Sequence, residues 1–244
     1  MKNNLPKVIF KQMPLELETE MFLDFLDTNW ASKIMDEFPE FLKIKSIIDE
    51  KGKKEAIEKI IIQIRKELNE KMVTGLKNIK SEWQKVEEEV FKSLSNIIQT
   101  DWPEKEITAY ISINPICPRF LDSLSFSVSP DNKNPNIIIA HEISHFLYFK
   151  KFKEIFPEIG KDKYEFPNKE WILSEIITPI ILNDTRMIKI LGKGGGFYSE
   201  HLKLKVDGKP LTQIIQDLYD KHVLKVNNFV GFIKENMKIL RHLI

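Results

Sequence analysis

One helix-like stretch near the middle of the chain constrains the fold more than any other feature. Asn134 and Pro135 are an N-cap residue followed by proline, which is typical of a helix start, and the residues after them are apolar on nearly every side. A helix that is apolar all round has to be buried. His141, Glu142 and His145 nevertheless lie inside it, and burying them costs free energy unless each side chain finds a partner.

These three polar residues form the pattern His-Glu-x-x-His. Residues four apart lie one helical turn apart on the same face, so the imidazoles of His141 and His145 can converge on one metal ion, with Glu142 beside it. This is the pattern of zinc metallopeptidases, and a zinc ion satisfies the buried polar groups together. The alternative is a pair of hydrogen-bonded core histidines with a salt-bridged glutamate.

A later segment offers the carboxylate that a catalytic zinc site needs as its third protein ligand. Asn168 is placed to cap a helix at 169–179, which contains Glu170 and Glu175. Glu170 falls in the first turn, where the helix dipole favours a carboxylate that stays solvated. Glu175 lies mid-helix among apolar residues, where burial demands a cation. The sequence therefore predicts Glu175 as the third metal ligand.

The pattern at 141–145, followed by a helix that bears Glu175, resembles the zincin metallopeptidases and specifically their gluzincin branch. The resemblance covers roughly residues 100–190. It implies an α+β fold with a zincin-like catalytic domain, in which a small, mostly antiparallel sheet precedes the metal helix and the glutamate helix. The chain lacks the glycine and third histidine of the metzincin extension. It also departs from the common gluzincin spacing between His145 and Glu175, and no aspartate follows Glu175 at a short interval.

The resemblance also implies a mechanism, the metal-assisted hydrolysis of a peptide bond. Zinc would lower the pKa of its bound water and polarise the scissile carbonyl, while Glu142 accepts the proton of the water and passes it to the leaving amine. The developing oxyanion needs a further donor, and Tyr198 and His201 are candidate catalytic residues for that role. They follow a glycine cluster at 192–196, which is interpreted either as a mobile flap or as a flexible surface connection.

Hydrophobic periodicity divides the chain near residue 100. Apolar residues at helical spacing predict a helical N-terminal region at 1–100, with Gly52 and Gly75 as interruptions, and alternating β-branched segments open a zincin-like region at 101–244. The predicted helices span 14–27, 31–50, 53–98, 169–179, 211–226 and 229–243, and the predicted strands span 8–13, 107–113 and 124–129.

The strand predicted at 124–129 alternates serines with apolar residues, so one of its faces is expected to be wet. If it is an edge strand, its unpaired backbone groups can bind an extended peptide by strand addition. An ordinary sheet strand is the equal alternative.

The amino-acid composition is typical of a folded protein, and its positive and negative charges nearly balance. Its 244 residues are 42% hydrophobic and 30% charged, and 37 basic against 36 acidic residues leave a net charge of +1. This balance gives no general reason to expect nucleic acid or a membrane as a partner. The zincin resemblance implies a peptide or protein as the substrate. The single cysteine, Cys117, and a first segment unlike a signal peptide predict a cytoplasmic protein. His222 and His242 are expected to be surface or capping residues, and the oligomeric state is left open.

Three classes of function fit these observations. The first is a zinc-dependent peptidase, and the second is a catalytically inert zincin-like scaffold or binding module that holds zinc structurally. The third is a helical interaction protein in which the metal pattern is accidental. Metal content separates the third class from the other two, and the effect of Glu142→Gln on hydrolysis separates the first from the second.

Overall fold

The computed structural model describes residues 5–240 and shows an α+β fold in which helices predominate. Shorter 3₁₀ segments lie at Pro39–Ser46, Lys161–Tyr164 and His201–Lys203, and a π-helical turn lies at Asp220–Leu224. The α-helices are α1 (Leu15–Leu26), α2 (Ala31–Glu37), α3 (Glu50–Glu67), α4 (Asn69–Gln84), α5 (Glu87–Ile98), α6 (Pro135–Ile155), α7 (Lys169–Leu182), α8 (Thr185–Leu191), α9 (Leu211–Tyr219) and α10 (Phe229–Leu240).

The strands are short and form two sheets. Four of them make one sheet in the order β1-β2-β4-β3, and the last two form a separate hairpin. The strands are β1 (Lys7–Gln12), β2 (Glu106–Ile111), β3 (Arg119–Phe120), β4 (Ser125–Val128), β5 (Lys205–Val206) and β6 (Lys209–Pro210).

The larger sheet is mixed rather than mostly antiparallel. Strands β2 and β4 are parallel, whereas β3 and β4 are antiparallel. The N–H of Lys7 donates to the carbonyl of Lys105 and the N–H of Met13 to that of Ile111, both at 3.0 Å, so β1 and β2 advance in the same direction. The expectation of a mostly antiparallel sheet is therefore wrong. Alternation shows which residues share a face and carries no information about the direction of the neighbouring strand.

Strand β4 is an interior strand, because β2 pairs with one of its edges and β3 with the other. Ser125 and Ser127 are both buried. The hydroxyl of Ser125 lies 2.7 Å from that of Ser123, and the hydroxyl of Ser127 donates to the carbonyl of Ile116 at 3.5 Å. The predicted wet serine face and peptide-binding edge are therefore wrong, because these hydroxyls are satisfied inside the protein rather than by water.

The helix predicted at 53–98 is three helices that break at Leu68 and at residues 85–86, not at the glycines. Gly52 lies in the first turn of α3, where its N–H donates to the side chain of Asp49 at 2.6 Å. The break after α3 has no glycine or proline, so the apolar periodicity alone does not reveal it.

Gly75 lies inside α4 and is buried. A Cβ atom at this position would lie 2.6 Å from the Cβ and 2.7 Å from the carbonyl oxygen of Pro130. The glycine therefore permits a close contact between α4 and the segment after β4, and it does not end the helix.

Two further predicted helices are divided or shortened. The segment predicted as one helix at 31–50 is α2 followed by a 3₁₀ helix, and the segment at 211–226 is α9 followed by the π-helical turn. The helix predicted at 229–243 corresponds to α10 as far as Leu240, and its last predicted residues, including His242, lie outside the described residues.

The described residues cluster into two compact units, each discontinuous in sequence. We call Val8–Lys85 with Glu106–Pro135 the N-terminal unit, and Val86–Lys105 with 136–240 and residues 5–7 the C-terminal unit. The domain boundary predicted at residue 100 stays a prediction. It concerns regions that fold independently, whereas the two units describe only which residues lie close together.

A buried ion pair connects α1 to α3 within the N-terminal unit. Arg65 Nε donates to Oε2 of Glu18 at 2.6 Å, and the N–H of Ile113 and the hydroxyl of Ser112 donate to Oε1. Burial raises the pKa of Glu18, although the neighbouring charge of Arg65 opposes that shift. The carboxylate thus joins two helices to the residues that follow β2.

Helices α6 and α7 supply the most continuously buried segments of the C-terminal unit. Beyond the metal pattern, α6 packs aromatic side chains together: Phe149 stacks on Tyr164 with ring centroids 4.4 Å apart, and Phe152 contacts Tyr164 edge-on at 5.7 Å. Among the described residues, none of the helices combines the length and apolar character needed to cross a lipid bilayer.

Candidate metal centre

Helix α6 carries the His-Glu-x-x-His pattern near its middle. It begins at Pro135, as the sequence predicts. Apolar residues such as Ile139, Ile143 and Leu147 are completely buried and hold the helix in the core. His145 is buried among them, while the side chain of His141 is 15% exposed. The two histidines therefore share one helix face, with His141 nearer to solvent.

Helix α7 carries the acidic partner. It begins after Asn168, as predicted, and continues through Pro179 to Leu182, three residues beyond the predicted end. The side chain of Asn168 does not accept the usual capping bond; its amide donates instead to two main-chain carbonyls that precede the helix. Glu175 lies mid-helix and is 2% exposed, as its apolar neighbours indicate.

The three predicted ligands converge. Nε2 of His141 lies 3.1 Å from Nε2 of His145 and 3.2 Å from Oε2 of Glu175, and Nε2 of His145 lies 3.3 Å from Oε1 of Glu175. Zinc–nitrogen and zinc–oxygen bonds of about 2.0–2.1 Å at a tetrahedral angle place ligand atoms about 3.3–3.4 Å apart. The two imidazoles approach different oxygens of Glu175, and one ligand atom from each of the three residues lies within 4.8 Å of the others, so the side chains are placed to surround a metal ion.

This donor set suits a cation for a second reason. Each imidazole offers a lone pair at its unprotonated nitrogen, and the carboxylate offers only acceptors. Their mutual approach in a buried site is unfavourable unless a proton or a metal ion lies between them. Within residues 5–240, His141, His145 and Glu175 are the one group of His, Cys, Asp or Glu side chains arranged to hold a metal ion.

Thr178 lies behind His145. Its hydroxyl oxygen is 3.5 Å from Nδ1 of His145, and both side chains are buried. A hydrogen bond from Nδ1–H to this hydroxyl leaves Nε2 unprotonated, which is the form that ligates a metal. The sequence argument missed Thr178, although its position one turn after Glu175 on the same face of α7 is a signal that would have found it.

Glu142 follows His141 on α6 and is 7% exposed. It is not part of the converging ligand group.

The prediction that the carboxylate of Glu170 stays solvated is wrong. This residue is 6% exposed rather than solvated, and its charge raises the pKa values of Tyr148 and Tyr164, which burial already raises. The phenol of Tyr148 is buried and makes no hydrogen bond among the described residues. Tyr148 and Tyr164, which follow the His-Glu-x-x-His pattern in the chain, lie near the first turn of α7 and help to bury Glu170. The position of a residue within its helix does not by itself reveal such burial.

The glycine cluster after α8 is packed against the end of α7. Asn183 Nδ2 donates to the carbonyl of Gly195 at 3.1 Å, and a Cβ on Gly194 would overlap Oδ1 of Asn183. A Cβ on Gly195 would lie 3.1 Å from the side chain of Leu182. These contacts hold Gly194 and Gly195 against the C-terminal end of α7, a few residues before Tyr198 and His201 in the chain.

His201 is buried, and the charge of Glu175 acts on it, whereas Tyr198 is 40% exposed. Burial lowers the pKa of His201, and the negative charges of Glu175 and Glu200 oppose that shift. Its Nδ1 is buried and makes no hydrogen bond among the described residues. Edge-on ring contacts join His201 to Tyr198 at 5.4 Å and to Trp171 at 5.9 Å, measured between centroids.

The remaining histidine predictions concern the C-terminal helices. His222 is half-buried and lies outside the metal cluster, and its main-chain carbonyl accepts from the N–H of Asn228 at 2.7 Å. His242 lies outside the described residues.

Comparison with protein family models, with curated proteins and with solved structures finds no match to this chain.

Proposed function

We propose that this protein is a zinc-dependent peptidase in which Glu142 is the general base. The observation that supports the proposal is the convergence of His141, His145 and Glu175 at 3.1–3.3 Å, with Glu142 adjacent to one ligand but outside the group. Three protein ligands with a fourth position left over are the composition of catalytic rather than structural zinc sites.

A zinc ion held there supplies Lewis acidity toward a carbonyl oxygen and makes water a competent nucleophile at neutral pH. Glu142 takes up the proton of the attacking water through its carboxylate and releases it to the amine that leaves. Thr178 keeps the ring of His145 oriented, and Glu175 holds the cation in place with its negative charge.

His201 is the more buried of the two candidate oxyanion donors, and the charge of Glu175 acts on it. Burial lowers the pKa of His201, which favours the neutral ring, and a neutral imidazole donates through one N–H. Tyr198 lies beside it at the protein surface and offers a phenol O–H. We assign the stabilisation of the developing negative charge to His201, with Tyr198 as its neighbour in the same loop.

The order of a strand segment, a metal helix and a glutamate helix supports a zincin-like catalytic domain of the gluzincin kind. A peptide or protein is the substrate class that this chemistry serves. The single cysteine fits a reducing compartment, so the cytoplasm is the proposed location.

One observation favours the alternative, an inert zincin-like scaffold that holds zinc structurally. His145 and Glu175 are 0% and 2% exposed, and closed sites are typical of structural zinc. The partial exposure of His141 argues against full closure, because it leaves one side of the cluster nearer to solvent.

The test compares Glu142→Gln with the native protein, each reconstituted with one equivalent of zinc and incubated with a library of internally quenched peptides. Glu158→Gln, a change of an exposed glutamate, is the matched control. We expect Glu142→Gln to keep its zinc and to lose hydrolysis by about 10²- to 10⁴-fold, while the control keeps both. Retention of zinc with no hydrolysis in the native protein would establish the structural alternative.

A further inference from the structure

A row of four aromatic rings in mutual contact includes Trp171, which lies one helical turn before Glu175 on α7. Phe166 contacts Trp171 edge-on with centroids 5.4 Å apart, Trp171 contacts His201 at 5.9 Å, and His201 contacts Tyr198 at 5.4 Å. All four residues belong to the C-terminal unit. We call them the aromatic row.

The position of the row is set by α7. Trp171 lies four residues before Glu175, one turn away on the same helix face, and Thr178 continues that stripe on the other side. One turn is about 5.4 Å along the helix, which is less than the length of two extended peptide residues. A peptide that runs along α7 with its scissile carbonyl at the candidate metal centre would bring a side chain close to the ring of Trp171.

The row is buried in its middle and exposed at its ends. His201 is 5% exposed, while Phe166 is 69% and Tyr198 40% exposed, and Trp171 is half-buried. Single exposed apolar side chains are ordinary on protein surfaces. Several aromatic rings in mutual contact, some buried and some exposed, are more typical of a surface that binds a ligand.

The chemistry of the aromatic row favours an aromatic side chain as its ligand. Its rings present faces and edges for stacking with another ring, and Tyr and Trp add large contact area at low entropic cost. The exposed carboxylate of Glu200 lies two residues after Tyr198 and next to His201 in the chain, and its negative charge disfavours an acidic substrate residue at this surface.

We propose that the aromatic row is the specificity-determining surface of the enzyme, and that it binds an aromatic side chain of the peptide substrate next to the scissile bond. This inference rests on the proposed peptidase function. Trp171 is its principal contact, since it is closest in sequence to the metal ligand, and Phe166 forms the outer edge.

The experiment uses internally quenched peptides that differ only at one central residue, which is Phe, Leu, Ala or Glu. The ratio of kcat/KM for the Phe and Ala peptides is measured for the zinc-loaded native protein, for Trp171→Ala and for Phe166→Ala. Leu224→Ala, an exposed apolar residue of the same unit outside the row, is the control. We expect a Phe preference of at least about tenfold, which falls to within about threefold in Trp171→Ala and stays intact in the control.

A second arm separates this inference from the proposed function. The same peptides are titrated by calorimetry into zinc-loaded Glu142→Gln, with and without Trp171→Ala. If the native protein cleaves nothing, the peptidase proposal fails, and tighter binding of the Phe peptide that requires Trp171 still supports the row as a binding surface. Equal affinity for Phe and Ala peptides in this arm overturns it.

Two other outcomes overturn the inference. The first is cleavage with the same Phe-to-Ala ratio in the native protein and in both row variants. The second is a change of sedimentation behaviour in Phe166→Ala without a change of peptide selectivity, which identifies a second copy of the chain as the occupant. Phe166 is mostly exposed, so Phe166→Ala keeps the test valid if Trp171→Ala fails to fold.

Discussion

Nδ1 of His145 lies 3.5 Å from the hydroxyl oxygen of Thr178, one turn beyond Glu175 on the neighbouring helix. One helix thus supplies both a candidate metal ligand and the hydroxyl that contacts a candidate ligand on the other helix. Because outer-shell partners of this kind fix the tautomer of a ligating imidazole, we expect metal affinity to depend on this contact between α6 and α7.

Replacing Thr178 with valine keeps the shape of the side chain and removes its hydroxyl. We expect the zinc dissociation constant to rise by about 10-fold or more, because the imidazole of His145 loses its orienting partner. Competition with a chromophoric chelator measures the change. Ser174→Ala is the control, since the hydroxyl of Ser174 donates to the carbonyl of Trp171 at 2.8 Å within the same helix and contacts no ligand. Equal effects of the two substitutions would contradict the orienting role.

The two buried glutamates of α7 are distinguished by Glu175→Ala and Glu170→Gln. We expect the first to weaken zinc binding by more than the roughly 10- to 100-fold that loss of an outer-shell partner causes, because it removes a ligand. The second leaves affinity nearly intact, since Glu170 lies among Tyr148 and Tyr164 and not in the cluster. The reverse order in a chelator titration would refute the assignment.

Zinc is expected to stabilise the C-terminal unit against unfolding. At a free zinc concentration 1,000 times the dissociation constant, linkage adds about 4 kcal/mol to the free energy of unfolding. The effect weakens below about pH 6, where protons compete for the imidazoles of His141 and His145. Calorimetric scans with zinc and with chelator at pH 5 and pH 7.5 measure it. A thermal unfolding midpoint that stays the same with zinc and with chelator at pH 7.5 would exclude a buried metal site. His145→Ala is expected to abolish the difference between the two scans.

The ion pair of Glu18 and Arg65 predicts a pH-dependent loss of stability. Arg65→Met leaves a buried carboxylate without its cation, which is expected to destabilise the folded state by about 3 kcal/mol at pH 7. Because burial holds the folded-state pKa of Glu18 above its unfolded value of 4.5, the charged form costs stability at neutral pH, and this cost falls as pH decreases through the folded pKa toward 4.5.

The loss caused by Arg65→Met is therefore larger at pH 7 than at pH 5, and urea unfolding at the two values checks it. Lys54→Met, which removes an exposed partner of Glu20, is expected to change stability little at either pH. A loss that grows as pH falls would contradict the sign of the argument.

Gly75→Ala is expected to destabilise the N-terminal unit even though alanine is the better helix former by about 1 kcal/mol. The new methyl group would meet the backbone of Pro130 at 2.7–2.9 Å, and relief of that overlap requires a shift that costs roughly 1–3 kcal/mol. Gly196→Ala, whose Cβ meets nothing within 4 Å, is the neutral control. Denaturant midpoints compare the two variants.

Local features of the sequence determined much of the metal centre. The start of α6 at Pro135, the shared face of His141 and His145, and the burial of Glu175 follow from residues within a few turns of one another. A helix has a fixed period, so the relative direction of side chains four residues apart is known before any tertiary contact forms. The same reasoning extends to the start of α7 after Asn168.

Contacts between segments distant in the chain decided the rest. The direction of β1 and β2, the interior position of β4, the cover over Glu170 and the approach of His201 to Glu175 each join residues far apart in sequence. A residue pattern records whether a side chain is apolar or polar, but it does not record which distant segment provides its partner. Only the folded chain supplies that partner, because burial and hydrogen bonding are properties of the packed structure and not of the local period.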